Sequence, residues 1–430
     1  APPSRLSLAL AAAAAIGPGA RVRGLFAVRH HPGALAGNAL PAAQLVGSFH
    51  QDGGRVRGLV AEPGVPVSLE ATVAPLGPHH LLTFTASSDV RELRGITRVE
   101  PIGRGRAELA VEGTLVLETL DLDAAARARL WDLDAGGVQA AYVGVEADVH
   151  GRIPAAALEA TVDARAIRAA DRTLVAARAQ VSGTLERLVV HAEATGGDRT
   201  PSGRLDATVT TTPAPRADDV RLVLSRAGVE TVTTIGAVYP QGGGVVVQRA
   251  RIEGLGEPLT ADVRIGGRSI ALEARTEGVD IARLTRLVAY ERDVRGRIAL
   301  DVDIEGSAVR ARGRARVAAS GLTFDGNGPG GLDLDVRIDG RTLRGELALG
   351  LDGAGEASVT AMPITLGGPL FDPSSWERAV GIVDVKSDLD LAAALARVPE
   401  EHRPVTAASG RASIRGRSRR DRADELPDVD

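Results

Sequence analysis

The stretch GRIALDVDIEG, residues 296–306, decides the fold. Ile298, Leu300, Val302 and Ile304 occupy every second position, with Asp301, Asp303 and Glu305 between them. Successive side chains of a β-strand point to opposite faces, so the segment has one apolar face and one wet face. The same alternation sets Leu332, Leu334, Val336 and Ile338 against Asp333, Asp335, Arg337 and Asp339. It also sets Ala107, Leu109 and Val111 against Arg106, Glu108 and Glu112. Arg310, Arg312, Arg314 and Arg316 make one face of a further strand. Segments of the same kind are Leu158–Arg165, Leu174–Val181, Leu205–Val209, Ala261–Ile265, Ile270–Ala274 and Gly345–Leu351. Gly, Asp-Gly and Pro clusters punctuate them every ~8–12 residues, as in antiparallel meanders. The reading is a mainly β protein, an antiparallel repeat array with a few short amphipathic helices.

Helical patterning is scarce and follows aspartates. DIARLTRLVAY from Asp280 places Ile281, Leu284, Leu287 and Val288 at helical spacing, and Asp89, Asp121 and Asp390 open similar stretches. Each Asp is suited to accept hydrogen bonds from the free N–H groups of a first turn. Asp89 to Gly105, Asp121 to Gly137 and Asp280 to Gly296 are each 16 residues, and at Asp390 the matching Gly410 lies 20 residues on. This predicts a recurring unit in which a short helix is followed by a glycine that opens a new strand. A further capped helix is expected at Ser374-Ser-Trp-Glu377.

Composition removes several function classes. In 430 residues, Lys+Arg 51 against Asp+Glu 55 leaves a net charge of −4, with no basic surplus for a nucleic-acid backbone. Aromatics at 2% leave few stacking platforms for single strands. With no Cys, disulfides, thiol nucleophiles and Cys-ligated metals are excluded. The longest apolar run, Leu6–Ile16, is too short for a membrane span and reads as a strand or helix, with a signal-peptide core as the alternative. Both ends look cut, so the chain is expected to be part of a longer protein.

No catalytic, cofactor or metal residues are assigned. His30-His31 and His79-His80 lack ligand spacing. The glycines of Phe324-Asp-Gly-Asn-Gly-Pro-Gly-Gly331 precede a strand where a dinucleotide site would open a helix, so a hairpin turn is expected. Asp301/Asp303 and Asp333/Asp335 sit at i, i+2 on wet faces, where solvated charge is the default, against a glycosidase-like pair.

The layout Val279-Asp-Ile-Ala-Arg-Leu284, a connector and then Gly296–Gly306 resembles the AsmA-like superfamily of the TamB type. Its echoes at Asp89, Asp121 and Asp390, and Gly321-Leu-Thr-Phe-Asp-Gly326 followed by LDLDVRIDGRTLRGEL, carry the same likeness. The likeness covers residues from about 89 to 416 and more loosely 20–88. The family's N-terminal membrane anchor and its barrel-contacting C-terminal domain are not seen here. The resemblance implies a long sheet curled like a taco, anchored in the inner membrane and crossing the periplasm. It implies carriage of phospholipid toward the outer membrane, and partnership with an outer-membrane β-barrel assembly-type protein through regions outside this chain. The chain then divides into a β-rich segment at 1–88, helix-plus-strand units at 89–278 and 279–388, the start of another at 389–416, and a disordered charged tail at 417–430.

The residues expected to line an apolar lipid groove are Leu109, Val111, Ile298, Leu300, Val302, Ile304, Leu332, Leu334, Val336, Ile338, Leu347 and Leu349. The expected function is non-enzymatic lipid transport. The rivals are a structural β-solenoid or adhesin-like rod with a closed dry core, and a β-helical enzyme acting on polysaccharide.

Overall fold

The computed structural model describes residues 5–16, 22–35, 38–40, 43–50, 53–62, 65–90, 102–135, 137–153, 155–184, 186–266, 269–307, 310–351, 353–368, 373–396, 407–422 and 428–429. The chain forms two compact units, Ala1–Thr212 and Pro213–Asp430. The division falls inside the span that the sequence reads as one run of repeats.

In the first unit the strands are β1 (Arg5–Ile16), β2 (Val22–Leu35), β3 (Asn38–Leu40), β4 (Ala43–His50) and β5 (Gly53–Glu62). They continue with β6 (Val65–Leu76), β7 (His79–Val90), β8 (Ile102–Val116), β9 (Asp121–Ala135) and β10 (Val138–Arg152). β11 (Ala157–Ala169), β12 (Arg172–Thr184), β13 (Arg187–Gly196) and β14 (Ser202–Thr210) complete it. Each pairs antiparallel with the next, except that one edge of β2 takes both the short β3 and β4. The Leu6–Ile16 run lies in β1 and is a strand.

The second unit runs β15 (Arg216–Arg226), β16 (Val229–Gln241), β17 (Gly244–Glu253), β18 (Leu259–Ile265) and β19 (Ile270–Asp280), then helix α1 (Ile281–Val288). β20 (Val294–Gly306), β21 (Ala311–Phe324), β22 (Asn327–Gly340), β23 (Thr342–Leu351) and β24 (Gly355–Thr365) follow. Helix α2 (Pro373–Glu377), β25 (Val380–Asp390), α3 (Leu391–Ala396), β26 (Arg411–Arg420) and β27 (Asp428–Val429) end it. It is again a meander of nearest-neighbour antiparallel pairs. At ~4.8 Å per strand, β15 to β26 make a sheet roughly 50 Å across along its contour.

The predicted helices divide by context. Asp280 caps α1, its carboxylate accepting from the Arg283 N–H at 3.1 Å, and Asp390 caps α3 by accepting from the Ala393 N–H at 2.9 Å. The expected helix at 374–377 is α2. The expected helix from Asp121 is instead strand β9. Its alanines suggested a helix, but Leu122, Ala124, Ala126, Ala128 and Leu130 also alternate, and the register sets Ala126 opposite Val111 and Ala128 opposite Leu109. Small residues there fill the space beside larger ones, and this packing overrides the helix propensity of Ala. Of the helical stretch expected from Asp89, Asp89 and Val90 belong to strand β7, and the rest lies outside the described residues.

Two of the four recurring glycines play a different part from the one expected. Gly105 and Gly296 do not open their strands; each sits inside one, at a shift of register, with φ of 143° and 132°. They are β-bulges, where one strand carries an extra residue and bends. Gly137 forms the turn before β10 and Gly410 directly precedes β26, so each opens a strand as the sequence predicts. Asp325 and Gly326, with φ of 51° and 82°, make the two-residue turn joining Phe324 to Asn327, a hairpin as the sequence predicts. The tail expected at 417–430 is strand through Arg420, and Asp428–Val429 pair with it again.

Candidate apolar lane

Directly paired residues in an antiparallel sheet share a face, so register turns separate alternations into continuous rows. In the second unit one row runs Leu300–Val317–Leu334–Leu347–Val359–Val385 across β20 to β25. Beside it run Val302–Ala315–Val336–Gly345–Ala361 and Ile298–Ala319–Leu332–Leu349–Ala357. Beyond the first of these lies Ile304–Gly313–Ile338–Leu343–Ile364. The ten expected lining residues of this unit therefore fall on four adjacent rows of one face. In the first unit, Val111 belongs to the row Leu69–Ala86–Val111–Ala126–Ala147–Ala160, and Leu109 to Ser88–Leu109–Ala128–Val145–Val162.

What lies over these rows differs along the second unit. Ile304 and Ile338 are 6% and 7% exposed, closed in with Ala311, Leu343 and Leu366. Leu366 is held there by its N–H donating to the Arg341 carbonyl at 2.9 Å. These two residues form a packed core, which corrects their expected place in an open groove. Val302 and Val336 pack against that core. On the opposite flank, Ile281 of α1 is buried with Val294, Ala319 and Leu322, and Ile298 and Leu332 pack against them. Leu287 of α1 is buried with Val229 and Leu255. Between the two covered flanks, Leu300, Leu334, Leu347 and Leu349 are half-buried, and Val385 is exposed.

The first unit carries less cover. Leu109 is 44% exposed and Val111 37%, although both sit on the interior strand β8, Val111 between Ala86 and Ala126 and Leu109 between Ser88 and Ala128. A sheet face gains its stability by burial against another layer, and here the described residues supply none over these two. The small core at Val90 and Ala107, with Leu130 and Leu133 against it, lies toward one end of the same strands. Nearer β2, the Phe26 ring lies over Gly47; a Cβ on that glycine would meet its Cζ at 2.4 Å. An aromatic ring folded over a strand glycine covers backbone that has no side chain of its own. Neither this device nor the Leu366 cover was visible in the alternating pattern, because both depend on residues distant in sequence.

The other face is an ion-pair lattice. Arg275 donates to Asp301 at 3.1 Å, Arg312 to Asp339 at 3.2 Å and Arg417 to Asp384 at 2.7 Å, while Arg314 and Arg316 share Asp335. The arginines hold Asp335 down to about 2, chiefly through the Arg314 hydrogen bond. His80 anchors Glu118 through its backbone N–H at 2.8 Å and its ring at 2.7 Å, which also holds that carboxyl at about 2. Open hollows lie on this charged side. One of about 490 Å³ includes Arg57, Ser68, Glu70, Thr85 and Arg127, and one of about 710 Å³ includes Asp333, Ala348, Ser358, Lys386 and Arg415. Among the described residues no three His, Asp or Glu side chains are grouped to hold a metal, and no helix is long and apolar enough to cross a membrane.

No family model, no curated protein and no solved structure matches this chain.

Proposed function

We propose that the chain is a non-enzymatic segment of a bridge-like lipid transport protein of the AsmA-like, TamB type. In this reading the aliphatic lane guides phospholipid acyl chains. The observation that carries it is the exposure of Leu109 and Val111 on two neighbouring, mainly aliphatic rows of one sheet face, echoed by the lane from Leu300 to Val385. An acyl tail satisfies such a lane without directional bonds, each buried CH₂ contributing ~0.8 kcal/mol, so about eight methylenes contribute roughly 6 kcal/mol. Along the row from Leu300 to Val385 every side chain is Leu or Val, so a tail there meets no ring and no polar step.

The inner-membrane anchor, the periplasmic location, the outer-membrane destination and the β-barrel partner belong to the same proposal and rest on the resemblance alone. A second reading, a structural rod with a closed dry core, draws on the packing of Ile304, Ile338 and Leu343 under Leu366. Native mass spectrometry after mild extraction separates the two. Bound phospholipid that is lost in Leu109→Asp and Leu334→Asp chains with unchanged circular dichroism supports transport. Absence of lipid from the unaltered chain supports the rod.

A further inference from the structure

On the charged face of the second unit, the signs along one rung run in threes. Directly paired residues from β18 to β23 read Asp262–Glu273–Asp303–Arg314–Arg337–Arg344, three acids and then three arginines. The change of sign falls between β20 and β21, and the two flanking rungs change there too, with Glu305 beside Arg312 and Asp301 beside Arg316. All six strands are interior to the meander, with β17 and β24 outside them. Arg314 and Arg316 are satisfied within the chain by Asp335. Glu273, Asp303, Arg337 and Arg344 are exposed and have no ion-pair partner among the described residues.

Such a rung is complementary to its own reverse. A two-fold axis parallel to the strands, between β20 and β21, sets β20 of one copy over β21 of another, β19 over β22 and β18 over β23. Asp303 of one copy then meets Arg314 of the other, Glu273 meets Arg337 and Asp262 meets Arg344, each pair occurring twice as an isologous contact requires. In the flanking rungs Glu305 meets Arg312, Asp301 meets Arg316 and Arg275 meets Asp335. No like charges are set directly opposite in the three rungs. An axis along the rung would instead set every charge against its own kind. The acidic half also has room for long side chains: a hollow of about 230 Å³ is lined there by Asp262, Glu273, Asp303 and Glu305, with Arg264 among them.

We propose that this face is the contact between two copies of the chain, joined about that two-fold axis, with Arg337 and Arg344 of each copy reaching into the acidic hollow of the other. Six strands ~4.8 Å apart and three rungs ~6.8 Å apart make a patch of roughly 600 Å² on each copy, about 1,200 Å² in all, at the low end of specific interfaces. Association through such a patch is weak, and salt screens it. It leaves the aliphatic rows on the opposite face of the sheet free.

The test is sedimentation velocity of the full chain over a concentration series, at about 30 mM and about 500 mM salt. The proposal expects a monomer–dimer equilibrium at low salt that weakens about tenfold or more at high salt. Arg337→Glu and Glu273→Arg, each made alone, should weaken it by a similar factor, because each sets like charges opposite one another. An equimolar mixture of the two variant chains should dimerise again, since the Glu273 of one then meets the Arg337 of the other and the two new side chains meet each other with opposite sign. A monomer at low salt up to about 100 μM would overturn the proposal. So would a dimer indifferent to salt, a dimer indifferent to both substitutions, or a mixture that stays monomeric while both variants keep the circular dichroism of the unaltered chain. The salt series uses the unaltered chain, so misfolding of a variant cannot imitate its result.

Discussion

Asp335 accepts from Arg314 and from Arg316, and its carboxyl is held at about 2, below the usual value near 4. A carboxyl whose folded value is depressed contributes stability above its unfolded value and loses that contribution as the pH falls through the folded one. The Asp335 pairing should therefore persist at pH 3 to 4, where ordinary carboxylates protonate, and fail only near pH 2. Carbon-detected NMR titration should place its midpoint near 2, and Arg314→Ala should move it up toward the ordinary range. A midpoint near 4 in the unaltered protein would contradict the pairing. At the same scale, Ile304→Ala should cost about 2–5 kcal/mol in urea denaturation, because it empties a closed core. Leu109→Ala should cost less than that, since 44% of its surface is already in solvent and its removal opens no closed core. Equal losses would mean that the two sites are covered alike.

Among the elements, α1 shows how a short helix is specified. Eight residues are too few for a stable isolated helix, so it depends on its cap and on Ile281 and Leu287 packing against the sheet. Asp280→Ala should lose about 1 kcal/mol and speed amide exchange in the first turn of α1, leaving the exchange of β22 unchanged. The cap and the helical spacing were legible from residues 280–288, as was the cap of α3. β9 was not legible, because an alanine-rich stretch satisfies both periods and only its partner strands choose between them. The bulges at Gly105 and Gly296 were visible as a regular spacing but not as bulges, since an extra residue in a strand has meaning only against a paired neighbour. β26 reaches past the expected end of order at 416 because Arg417 finds Asp384 across the ladder.

For the molecule as a whole, strand alternation predicted an antiparallel mainly β fold with few helices, and that is the architecture of each unit. It also placed all twelve candidate lining residues on apolar faces. Alternation records which way a side chain points, not what lies above it. For that reason it did not separate Ile304 and Ile338, under cover, from Leu300, Leu334 and Leu347 in the lane between the flanks. The cover comes from Leu366 and from α1, which reach the face through the connections and not through the strands themselves. The most direct measurement of the lipid account is photo-crosslinking in the presence of phospholipid, with a benzophenone side chain placed singly along both faces. The account predicts lipid adducts at Leu109, Leu334 and Leu347, and none at Arg127 or Glu346 on the charged face. Adducts of equal yield on both faces, or at none of these positions, would contradict it.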